Sequence, residues 1–236
     1  MAKLSNPFLE DMLPPFEGFP KDALKFFKEL KKNNNREWFT ANKDRYDGAL
    51  REPMETLLGS LQEKLRVFDP DIVIEPKRAI YRIYRDVRFS KDKTPYKTQI
   101  AAAFSYRGLN KNNEPGFYFH ISDTEVGIGG GLYMPSPDQV KNMRKAIAQD
   151  ASEFKKVLAA KKFINLFGGL EGEKLARIPQ GYAPDHPDGE FLKLKQYLCW
   201  KLFPSKTIFD EDFLSVLTDH FIAMAPLVRY LIVHTK

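Results

Sequence analysis

Apolar positions recur along this chain with two different periods, and the change of period divides it into thirds. From Phe19 the spacing is helical: Leu24, Phe27 and Leu30 fall at i, i+3 and i+6 behind an acidic first turn at Asp22. Asn33-Asn34-Asn35 ends that helix, and a second carries Trp38, Phe39 and Tyr46. Pro53 opens a third, with Met54, Leu57, Leu58, Leu61 and Leu65, which stops at Asp69-Pro70. The middle third changes period. Ile80 to Phe89 alternates β-branched and aromatic residues with arginine, which predicts a strand. Thr98–Tyr106, Gly116–Ser122 and Val126–Tyr133 predict three more, the last two joined by the hairpin-length Asp123-Thr124. In the last third, Ser136-Pro137-Asp138-Gln139 reads as a capped helix start, and that helix runs towards Lys162. Residues 168–189 read as loop, and helices are predicted near 190–202, 211–224 and 226–233.

Strands bunched between helical blocks predict an α+β fold: an antiparallel meander of about four or more strands packed against N- and C-terminal helical blocks. Residues 1–18 are proline-rich and aperiodic and read as an arm; residues 19–236 read as one domain.

Composition narrows the class. With 43% apolar and 29% charged residues the chain is suited to a globular core. One cysteine, Cys199, excludes a disulfide framework. No uninterrupted apolar run approaches the roughly 18–20 residues of a membrane span, and the N-terminus lacks a signal-peptide pattern. The expectation is a cytoplasmic protein with no membrane association. The net charge of +6 is compatible with nucleic acid, phosphometabolites or an acidic partner.

That charge is concentrated. Lys77 to Lys97 holds eight basic residues against two acids, so its excess equals the +6 of the whole chain. As a strand, this segment would turn Tyr81, Ile83, Val87 and Phe89 to the core and Arg82, Tyr84, Asp86 and Arg88 to the other face. The next strand would set Ala101 and Ala103 beside the arginines, forming a basic groove suited to bidentate contact with phosphate or carboxylate. Candidate ligand-binding residues are Arg82, Arg85, Arg88, Lys93, Tyr96 and Lys97, with Arg82 and Arg88 as the clamp. The competing reading is a structural brace in which Asp86 simply pairs with Arg88.

Other chemistry is sparse. The four histidines (His120, His186, His220 and His234) form no metal-spaced pair, so no metal site and no cofactor is expected. His120, sharing a strand face with Tyr118 and Ser122, is the best candidate for proton transfer, with Asp86 second. His186 either lies in a loop over a site or shapes a turn. Asn35-Arg36-Glu37 either joins the groove or caps a helix. Cys199 beside Trp200 is expected in a helix, as core. The run Gly127-Ile128-Gly129-Gly130-Gly131 lacks the Gly-Lys-Ser/Thr ending of a phosphate loop and reads as a strand edge closely approached by another backbone.

Several ordered blocks carry a resemblance: Asn34-Asn35-Arg36-Glu37-Trp38-Phe39 with Asn42-Lys43 and Tyr46; Arg82, then Arg85-Asp86, Arg88-Phe89-Ser90, Asp92-Lys93 and Pro95-Tyr96-Lys97; Gly129-Gly130-Gly131 before Pro135; and Pro179, Gly181-Tyr182 and Asp185-His186-Pro187. Together they resemble the family of domain of unknown function 2461, from about Phe19 to the C-terminus. The resemblance implies a compact α+β domain of soluble bacterial and fungal proteins, and it implies no reaction. Three functional readings stand: binding of a small phosphorylated or other anionic ligand, with an enzymatic step left open; nucleic-acid binding through the same segment; and a protein-interaction module in which the arginines are braces.

Overall fold

The computed structural model describes residues 13–107 and 114–236, so the first 12 residues of the expected arm lie outside it. The rest of that arm lies on the body, where the Phe16 N–H donates to Ser60 Oγ at 2.9 Å. Helix α1 (Asp22–Lys32) buries Ala23, Leu24, Phe26, Phe27 and Leu30 along one stripe. Asn35 caps α2 (Arg36–Ala41) by accepting from the Trp38 N–H at 2.9 Å. Next come α3 (Lys43–Tyr46), a π-helical turn (Asp47–Arg51) and α4 (Glu52–Phe68), with Leu57, Leu58, Leu61 and Leu65 fully buried.

The fold is α+β, with helices on both sequence flanks of an antiparallel sheet of five strands in the order β1-β2-β3-β4-β5. These are β1 (Ile72–Val73), β2 (Gln99–Tyr106), β3 (Gly116–Ser122), β4 (Glu125–Leu132) and β5 (Tyr197–Pro204). One face is core: Phe104, Phe117 and Phe119 meet Phe221 of α10 (Phe213–His234) at ring distances of 5.1, 5.8 and 6.1 Å. Of the described α-helices, α10 alone makes extensive contact with β3 and β4.

Four expectations of secondary structure are corrected. Ile80–Phe89 is not a regular strand. After a helical turn, α5 (Pro76–Ala79), it meets β2 through a single bridge, Ile80 to Ala102, and its own returning arm through another, Tyr84 to Tyr96. Beyond Arg85, side-chain bonds and a turn (Ser90 N–H to the Val87 carbonyl, 3.3 Å) replace the ladder. Ile83 is buried as expected, but Tyr81 is half-exposed and Phe89 is 96% exposed.

The predicted helix near 190–202 is a single turn, α9 (Gly189–Leu192), followed by β5. Leu198 and Leu202 mimic helical spacing, but Tyr197 and Cys199 point into the core while Trp200 points away. β5 also places the glycine run of β4 inside the sheet, not at its edge.

The predicted helices 211–224 and 226–233 are one. Pro226 sits on the exposed side of α10, and the helix runs through it although proline removes one backbone hydrogen bond. Joined, α10 is long and apolar enough by length and composition to cross a bilayer, but its apolar residues form the core of this domain. The helix from Ser136 begins with the expected reciprocal cap and is then divided into α6 (Pro137–Gln149), α7 (Ser152–Leu158) and α8 (Lys161–Phe167).

Candidate functional site

Four cations of the basic segment are held by local acceptors. Arg88 pairs with Asp86 (Nη2 to Oδ2, 2.7 Å; Nε to Oδ1, 3.0 Å), which leaves the Asp86 carboxyl near pKa 2, too acidic to take up a proton at neutral pH. Arg85 bonds to Asp92 and to the hydroxyl of Thr94, and reaches the Thr94 carbonyl at 3.2 Å. Lys93 donates to the Val87 carbonyl at 2.9 Å, and Arg78 to Glu75 at 2.9 Å. Tyr96 is buried, stacked on Phe39 with 4.1 Å between centroids. A clamp of Arg82 and Arg88 would have to take Arg88 away from Asp86.

Lys97 and Arg82 differ from these. Lys97 continues the alternation of β2, on the side of Gln99, Ala101 and Ala103, and its Nζ lies 5.5 Å from the Tyr81 ring centroid. It is half-buried and has no carboxylate partner among the described residues. Partial burial lowers its pKa, and repulsion from Arg82 adds to this. Arg82 is exposed and lines a recess of about 410 Å³ with Phe39, Tyr46, Ile83 and Tyr84. Of the other charges lining it, Lys43 pairs with Asp47 and Arg51 with Glu55, Glu52 is the remaining carboxylate, and Arg82 also acts on Asp86.

The sheet face beside Lys97, opposite α10, is lined by small and aromatic side chains. Ala101 and Ala103 lie next to Tyr118 and His120 of β3; Gly127 and Gly129 of β4 pair with Leu202 and Trp200 of β5. The glycines make room for the indole. A Cβ on Gly129 would stand 2.6 Å from Trp200 Cζ3, and one on Gly127 2.5 Å from Trp200 Cζ2. Trp200 thus lies flat over β4, stacked beside Tyr118 (5.7 Å, 28°) and His120 (5.8 Å, 30°). Tyr81 borders Tyr118 at 6.4 Å, and Gln99 Nε2 reaches the Tyr118 hydroxyl at 3.4 Å.

His120 is buried in this row. Its Nε2 is 3.4 Å from Glu125 Oε1, and its Nδ1 has no partner among the described residues. Burial lowers its pKa while Glu125 opposes that shift, so the imidazole is neutral at pH 7. Burial also pushes the Tyr118 phenol to about 12, keeping it a hydrogen-bond donor. Among the described residues no three His, Cys, Asp or Glu side chains are grouped to hold a metal ion.

A family model described as "Conserved hypothetical protein (DUF2461)" matches residues 22–230, most of the chain. The chain belongs to this family. No curated protein matches it. In this DUF2461 protein the motif blocks have readable structural duties. Asn34 and Asn35 bind the Tyr96 backbone and cap α2; Gly127 and Gly129 seat Trp200; Gly130 faces Met224; and the His186 Nδ1 accepts from the Asp188 N–H at 3.0 Å, shaping a turn. Cys199 is fully buried, and burial raises its thiol pKa far above neutrality, so it is core in β5.

Sequence reasoning placed Lys97 and His120 on candidate lists but missed Trp200 and gave Tyr81 to the core. The signal for Trp200 was the alternation Tyr197, Cys199 against Trp200, matched to glycines at alternate positions of β4.

Proposed function

We propose that this DUF2461 domain binds a small anionic, phosphate-bearing ligand at the end of the sheet face where Lys97 meets Arg82. Lys97 carries this reading: a half-buried ammonium on the side of Ala101 and Ala103, without a carboxylate partner among the described residues, and close enough to Arg82 for the two cations to repel. Removing a charge from water without a counter-charge is costly, and a bound anion offsets that cost. Arg85, Arg88 and Lys93 shape the loop, and Tyr96 anchors it. His120 lies buried beneath this face, with Nδ1 inaccessible, so the proposal is of binding and not of a proton-transfer step.

A thermal-shift panel of inorganic phosphate, pyrophosphate, ribose 5-phosphate and AMP, run on wild type, Lys97→Met and Arg82→Gln, tests this. The expected result is selective stabilisation of wild type, by several degrees, by at least one phosphate ester, lost in Lys97→Met and weakened in Arg82→Gln. Equal shifts in all three proteins would reject the site.

A further inference from the structure

The far side of the same face has a geometry that a phosphate alone does not use. Lys97, Tyr81, Tyr118 and Trp200 form a row whose successive separations are 5.5, 6.4 and 5.7 Å. Trp200 has one π-face laid on the Gly127–Gly129 strip, where no side chain intervenes. Its partial exposure leaves indole surface open to solvent, and Tyr118 and Tyr81 are likewise half-exposed. Tyr118 and Trp200 lie within 28° of each other, while Tyr81 is tilted 49° from Tyr118, so the pair presents the flatter surface, and with a cation beyond Tyr81 it is complementary to a planar heterocycle joined to a phosphate. Stacking of a base on an aromatic side chain contributes about 1–3 kcal/mol. The strip of glycines is needed only for Trp200 to lie flat: any larger residue at 129 would tilt the ring and remove the surface.

We infer that the ligand is of the nucleotide class, its base stacked over Tyr118 and Trp200 and its phosphate at Lys97 and Arg82. This rests on the anion-binding reading above and names its ligand class. The Tyr118 hydroxyl and the Gln99 amide, 3.4 Å apart, supply polar groups at the rim of the stacked ring. The same chemistry is offered by a free mononucleotide and by a nucleotide within a single strand. The short row, with one half-buried cation rather than a long basic track, favours the free form.

The chain contains two tryptophans, Trp38 and Trp200, so Trp38→Phe leaves Trp200 as sole indole emitter. This variant is titrated with AMP, UMP, adenosine, ribose 5-phosphate, inorganic phosphate and a 15-mer of deoxythymidylate, reading fluorescence and, in parallel, calorimetry. The inference predicts saturable quenching of Trp200 by AMP or UMP. It also predicts at least tenfold weaker binding of ribose 5-phosphate, without quenching, and loss of nucleotide binding in Lys97→Met. Ribose 5-phosphate binding as tightly as AMP would overturn the stacked base while leaving the anion site intact. Adenosine binding as tightly as AMP, and unaffected by Lys97→Met, would instead overturn the anion site. Tenfold tighter binding of the 15-mer, falling steeply with salt, would overturn the free nucleotide in favour of a single strand. No binding by any probe, in protein whose far-UV spectrum and melting are intact, would overturn both readings.

Discussion

Asn34 binds the backbone of Tyr96 from both sides: its Nδ2 donates to the Tyr96 carbonyl at 2.9 Å and its Oδ1 accepts from the Tyr96 N–H at 3.0 Å. The two residues are 62 positions apart, and this pair fixes the returning arm of the basic loop against the first helical block. Because Tyr96 is buried, Asn34→Ala leaves both backbone groups without a partner, at a cost of about 1–3 kcal/mol. For a domain of this size that corresponds to a fall in melting temperature of about 2–4 °C per kcal/mol. Amide exchange is expected to accelerate at residues 84–97 first. Unchanged melting and exchange would show that the loop is held elsewhere.

Gly129→Ala tests the seat of the indole. The new methyl would press on the Trp200 ring and stand 2.8 Å from the Cys199 carbonyl oxygen, which is backbone and cannot swing aside. Overpacking of this kind costs about 1–3 kcal/mol. The expected result is a lower urea midpoint with a shifted Trp200 emission and altered near-UV dichroism. Gly168→Ala, at a glycine with nothing within 4 Å of a new Cβ, separates crowding from backbone strain: its φ of +76° gives strain alone, without an effect on Trp200 emission.

Stability should fall as the solution is acidified below pH 6.5. His120 and His220 both have pKa values lowered by burial from an ordinary 6.5. Between 6.5 and the folded values, the unfolded chain binds protons that the folded chain resists. The contribution is therefore present above pH 6.5, declines through that window and is gone below it. Urea midpoints measured at pH 7 and pH 5 should converge in His120→Gln relative to wild type, with His220 accounting for a remaining slope. An unchanged slope in His120→Gln would place the titration elsewhere.

Lys97→Met is expected to stabilise the ligand-free protein while abolishing binding. It removes a half-buried, uncompensated cation that Arg82 repels, and keeps the aliphatic stem over Tyr81. Gains of about 0.5–2 kcal/mol accompany such changes where function and stability compete. A loss of stability would make Lys97 a structural brace, and the denaturant midpoint distinguishes the two.

The parts of this fold legible in the sequence were those set by local pattern. β3 and the Ser136–Gln139 cap follow from alternation and from reciprocal side-chain bonding within four residues. The basic segment was misjudged because its alternation is real in the sequence, yet Asp86, Asp92 and Thr94 satisfy the arginines inside the loop. β5 was hidden because Leu198 and Leu202 fit a helix as well as a strand; its pairing with β4 decides the matter, and that register spans some 70 residues of chain. The same register brings Trp200, Gly129 and Tyr118 together. No pattern local to Trp200 states that Gly129 will lie opposite it, or that Tyr118 will stand alongside.

The anion site proposed where Lys97 meets Arg82 on the sheet has a residue-level readout. The most direct test is an amide-resolved NMR titration of the full chain with AMP and, separately, pyrophosphate. The account predicts saturable shifts concentrated at residues 81–83, 97–101 and 118–120 and at Trp200, absent in Lys97→Met. Shifts that are linear in concentration and spread over other lysines, such as Lys21, Lys25 and Lys28 along the groove beside Phe209, would contradict it.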